Sequence, residues 1–196
     1  MSIQKVVSGC ALIALLTGCG RSAVLHASDP APTNNEAIVV MGVKPAGYEV
    51  RFYTGAEMDG RFAQDILRGP VISGMPTDGY LVARAKPGDL LGLTTIIAEG
   101  GNPLGSYKNY HACGEYKAAV VKVPDAAVVY LGHFEYSLLG DRMDIRSSSD
   151  VQAARKYLQD QYPQIKSELR EGDVKVMLTQ RSCAPTLIPI YIPRSR

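Results

Sequence analysis

Tyr48-Glu49-Val50-Arg51-Phe52 places three apolar side chains on one side of an extended backbone and two charges on the other. Successive side chains of a strand point to opposite faces, so this two-residue period predicts a half-buried β-strand. Asp173-Val174-Lys175-Val176-Met177-Leu178-Thr179 repeats the pattern later in the chain. Ala37 to Val43, Tyr80 to Ala85, Leu90 to Ala98, Lys117 to Val123 and Ala126 to Tyr136 are β-branched or aromatic runs bounded by turn residues. Runs of this kind read as strands, which brings the expected total to about eight.

The punctuation agrees with that reading. Lys44-Pro45-Ala46-Gly47, Lys86-Pro87-Gly88-Asp89 and Val123-Pro124-Asp125-Ala126 each put a proline where a turn needs a preset φ, and the first two add a glycine. Strands that recur without intervening helices favour an antiparallel β-sandwich or meander over a parallel α/β sheet. One amphipathic helix is expected towards the C-terminus, over about 150–162. Ser149 is placed to cap it, and Val151, Ala154, Leu158 and Tyr162 recur at spacings of three and four before Pro163 ends it. The three-proline tail from Pro185 suits an edge strand or extended arm.

The composition bounds the function. The 196 residues are 46% hydrophobic and 20% charged, which suits one globular domain with short flanks. Lys and Arg number 21 against 19 Asp and Glu, a net charge of +2, which gives no long-range field for nucleic acid. Nucleic-acid binding is therefore not expected.

The N-terminus reads as an address. One cation, Lys5, precedes the apolar run Val6 to Leu16, whose length fits the core of a signal peptide and is too short to span a bilayer. The run ends in Leu16-Thr17-Gly18-Cys19, and in this position the quartet resembles the lipobox of bacterial lipoproteins. The resemblance implies that residues 1–18 are a signal peptide, that Cys19 is lipidated (palmitate among its acyl chains), and that the protein is anchored in a membrane. Gly20, followed by Arg21, stands where such lipoproteins carry an Asp when they stay in the inner membrane, so the outer membrane of a Gram-negative cell is implied, with the domain facing the periplasm. Residues 19–36 are expected as lipidated Cys and flexible tether, with His26 solvated, and residues 37–196 as a single β-rich periplasmic domain. The whole is similar to the small β-sandwich lipoproteins of bacterial envelopes.

Four cysteines are present, and the signal peptide and lipidation account for Cys10 and Cys19. In an oxidising compartment the remaining two, Cys113 and Cys183, are expected to form a disulfide. The competing reading is a metal site at His111-Ala112-Cys113 with help from Glu115 or His133, but two ligands at that spacing lack the remaining donors that zinc or copper requires. No Gly-x-Ser-x-Gly elbow accompanies His111 or His133, and His133 with Glu135 reads as a strand face. Asp141-Arg142-Met143-Asp144 supplies too few oxygens in register for calcium and is expected as a solvated loop. Gly100, Gly101 and Gly105 lack the Lys-Ser/Thr of a phosphate cradle. Tyr107, Tyr110 and Tyr116, with Lys108 and Lys117, form an aromatic and basic stretch that can serve as a binding surface.

The expectation is thus a non-enzymatic lipoprotein with no cofactor beyond the covalent lipid on Cys19, binding an envelope protein partner or serving a structural role. The alternative is a periplasmic hydrolase, or a metal or small-ligand carrier, using His111 or His133.

Overall fold

The structure, a computed structural model, describes residues 23–183 apart from 32, 34, 100–106, 126 and 127. The expected signal peptide at 1–18, Cys19, the glycines at 100, 101 and 105 and the tail from Pro185 lie outside the described residues.

The described chain is mainly β. Its elements are β1 (Ala37–Lys44), β2 (Glu49–Met58), β3 (Arg61–Gln64), β4 (Ile72–Gly74), β5 (Tyr80–Ala85), β6 (Leu90–Glu99), β7 (Tyr107–His111), β8 (Lys117–Lys122), β9 (Val128–Leu139), β10 (Arg142–Ser148), α1 (Val151–Gln161), β11 (Arg170–Glu171) and β12 (Val174–Leu178). The strands hydrogen-bond into one curled sheet whose main path runs β12-β8-β6-β7-β10-β9-β1-β5, with β2, β3, β4 and β11 attached beside it. Curling brings β3 against β12, where Phe62 bridges Thr179 and the Gln180 N–H donates to the Phe62 carbonyl at 2.9 Å.

The described residues form twelve strands where about eight were expected, and two further features differ from the sequence expectation. The sheet is mixed rather than antiparallel, because β1 runs parallel to β9, with Ile38 opposite Val128 and Val43 opposite Phe134. The physical reason lies in β1 itself, which is buried from Ala37 through Val43 and does not alternate. A strand covered on both faces is characteristic of parallel pairing. The helix forms over the expected residues but is not C-terminal, since β11 and β12 follow it and return to the sheet.

These two features explain each other. Ala37, Val39, Met41 and Val43 enter the main core inside the curl, with Phe52, Phe62, Leu93 and Phe134. Ile38 and Val40 point the other way into a second cluster with Val82, Val128 and Tyr130, closed by Ala154 and Leu158 of α1. The helix thus covers the outer face of the β5-β1-β9 portion of the sheet, and both faces of β1 are dry. Inside the curl, a Cβ on Gly92 would come within 2.5 Å of the Phe62 ring, so only glycine lets that fully buried phenyl lie against the strand.

Part of the expected tether is docked on the domain. The Leu25 N–H donates to the Val82 carbonyl at 2.8 Å, the Arg84 N–H donates to the Ala23 carbonyl at 2.6 Å, and Val24 bridges Ala83. Leu25 is buried, the Tyr162 hydroxyl donates to its carbonyl at 2.9 Å, and Gln164 Nε2 holds the Ala27 carbonyl at 2.9 Å. From Ala23 the chain therefore runs along the outer edge of β5. His26 is exposed, as expected.

Candidate functional site

The most concentrated chemistry gathers where β5, β9 and α1 meet. His133, on β9, stands between two tyrosines: its Nδ1 faces the Tyr130 hydroxyl, and its Nε2 lies 3.1 Å from the Tyr80 hydroxyl. The Asp150 N–H donates to the Tyr130 hydroxyl at 2.9 Å, fixing that phenol from the other side. Gly42 makes the arrangement possible, since a Cβ there would stand 2.0 Å from His133 Cδ2.

Burial pushes the His133 pKa down, with the Asp150 carboxylate opposing. Burial first, and Asp150 second, pushes the Tyr80 hydroxyl up, and burial raises Tyr130 as well. At neutral pH the arrangement is a neutral imidazole between two neutral phenols. One ring nitrogen donates and the other accepts, so both are engaged by tyrosine hydroxyls.

Tyr80 continues outward into an aromatic cleft. Its ring stacks on Tyr157 of α1 with centroids 4.4 Å apart and planes 19° apart, and Tyr157 meets Tyr162 at 6.2 Å. The cleft encloses about 360 Å³ between the 24–27 segment, the 73–77 loop and the helix. The Tyr157 hydroxyl donates to the Thr77 carbonyl at 3.1 Å, which ties helix to loop, and Met75 is 59% exposed at the margin. The loop turns through Asp78 and Gly79, both with positive φ, which is the backbone of a tight hairpin.

The sequence candidates do not converge. His111 sits opposite Arg142 at the start of β10, whereas His133 sits opposite Ser148 at its end. The His111 Nδ1 lies 3.1 Å from Thr95 Oγ1. Burial lowers the pKa of His111 to about 4, helped by the Arg181 guanidinium and opposed by Asp141. Cys113 is joined to Cys183 with an S–S distance of 2.05 Å, so its sulfur is not a free ligand beside His111. Glu115 and Glu135 are exposed. Among the described residues no group of three or more His, Cys, Asp or Glu could hold a metal ion.

The expected loop at 141–144 is instead the entry to β10, with Met143 fully buried and Asp144 exposed. The tyrosine stretch is divided: Tyr107 is 70% exposed, Tyr110 lies under Lys108 at 5.0 Å, and Tyr116 lies under Arg142 at 5.7 Å. Sequence reasoning missed the Tyr80–Tyr157–Tyr162 grouping. Its only local signal is Tyr157 and Tyr162 on one helix, and Tyr80 joins them from a strand far away in the chain.

No family model, no curated protein and no solved structure matches this chain. Among the described residues no helix is long and apolar enough to cross a membrane.

Proposed function

We propose that the protein is a lipoprotein of the bacterial outer membrane, acylated at Cys19 and facing the periplasm, whose β-rich domain is non-catalytic and binds an envelope protein partner. The anchor rests on Lys5, the Val6–Leu16 run and Leu16-Thr17-Gly18-Cys19 in that order. The Cys113–Cys183 bond suits an oxidising compartment.

The observation that carries the binding half is the tyrosine-lined cleft at Tyr80, Tyr157 and Tyr162. Tyrosine offers a large, stiff apolar face with a polar tip, which is why it is enriched where protein surfaces meet. Binding is favoured over acid–base catalysis because both nitrogens of His133 already face tyrosine hydroxyls, which leaves neither for a substrate proton.

Two measurements test the two halves. Intact mass of protein extracted from envelope membranes should show an acylated chain beginning at Cys19, and Cys19→Ala should leave the full-length precursor. A photo-reactive side chain at Gln161, which lines the cleft, should give a defined crosslinked product in cells, while the same group at exposed Asp144 should not. Equal labelling from both positions would remove the cleft as the binding site.

A further inference from the structure

Ile66 and Leu67 are 83% and 93% exposed, two consecutive large apolar side chains held in water at the tip of the loop after β3. The tip is braced: the Asp65 N–H donates to the Thr54 carbonyl at 2.9 Å, and the Leu67 N–H donates to Asp65 Oδ1 at 3.1 Å. Arg68 Nε lies 3.3 Å from Asp65 Oδ2 and closes the turn.

The register places this tip at the end of the sheet where the chain enters. Thr54 pairs with Leu91, and Leu90 with Lys122, so the tip, the 86–89 turn and the 122–125 turn share one end. Ala23 and Val71 line a single cavity of about 290 Å³ with Lys86, Asp89 and Leu91. The N-terminal segment runs antiparallel to β5, from Leu25 beside Val82 to Ala23 beside Arg84, and so heads towards Lys86. Only Gly20, Arg21 and Ser22 separate Cys19 from Ala23. A chain of four steps spans at most about 14 Å.

We propose that this end of the domain rests on the lipid bilayer, with Ile66 and Leu67 inserted between the lipid headgroups. The inference deepens the lipoprotein reading and depends on acylation of Cys19. An anchor that close turns insertion into an intramolecular event at high effective concentration, so two side chains suffice where they would not hold a free protein. The docking is apolar in character. Within the three turns, exposed Arg68, Lys86 and Lys122 are matched by Asp65, Asp89 and Asp125, so the turns themselves carry no excess of either charge to select anionic lipid.

The absence of tryptophan from the whole chain gives a direct test, since one introduced indole reports alone. Leu67→Trp in the full acylated protein, reconstituted into vesicles of phosphatidylethanolamine and phosphatidylglycerol, should show blue-shifted emission and strong quenching by lipids brominated in their acyl chains. Raising the salt should leave the quenching unchanged. Tyr107→Trp, at the strand position paired with Glu99 and so at the other end of β6, should be insensitive to the brominated lipid. An acylated protein in which Leu67→Trp is quenched no more than Tyr107→Trp, or loses its quenching in salt, overturns the docking alone. A chain whose measured mass carries no acyl group at Cys19 overturns the anchor, and the docking with it.

Discussion

His111 and His133 are both partly buried imidazoles with lowered pKa values, yet they have different consequences. For His111 the folded protein keeps the ring neutral down to about pH 4, while an unfolded chain takes up a proton near the ordinary value of 6.5. Between those values the unfolded state binds more protons, so stability falls on acidification through this window and levels off below it. Following the urea midpoint against pH should show that slope, and His111→Gln should flatten it. For His133 the constraint is steric. Gly42→Ala would drive a methyl group into the imidazole, and overpacking of this kind costs about 1–3 kcal/mol, readable as a lowered denaturation midpoint. The Cys113–Cys183 pair was legible from the sequence because the other two cysteines had assignments of their own. The Tyr80–His133 contact was not, because its partners lie 53 residues apart and neither carries a local mark of the other.

At the scale of elements, period-two alternation made strands such as β2 and β12 readable, and Asp59-Gly60, both at positive φ, closes the β2–β3 hairpin in the manner that dipeptide favours. Alternation was also present in β10, where Met143 and Ile145 are buried on either side of exposed Asp144, but charge dominated the local composition. What alternation cannot state is the partner of a strand. The unbroken apolar run of β1 carried that information indirectly, since a strand without a polar face needs cover on both sides. The helix cap shows a one-residue shift of the same origin: Asp150, rather than Ser149, accepts from the Ala153 N–H at 3.0 Å, while Ser149 bonds Glu171 of β11. Asp150→Ala should therefore cost about 1 kcal/mol, within the 0.5–2 kcal/mol range of such caps, and a thermal melt followed at helical wavelengths would measure it.

Over the whole molecule, the disulfide joins the turn after β7 to the segment after β12, residues 70 positions apart. Closing a loop of that length removes denatured-state entropy worth about 4 kcal/mol in the chain model. Cys113→Ser with Cys183→Ser should lower stability by that order, and the oxidised and reduced wild-type protein should differ similarly in chemical denaturation. The long-range pairings also set a timetable. Ile38 finds its partner at Val128, ninety positions later, and Ala37 finds Ala85. Such non-local contacts slow folding, because loop-closure entropy is lost before any contact compensates it. The apolar strand Ala37 to Val43 must thus wait until β9 has been made before its second flank is covered. During that interval it is an unshielded, charge-free segment of high β-propensity, open to self-association and a part of the chain that an escorting chaperone would need to hold.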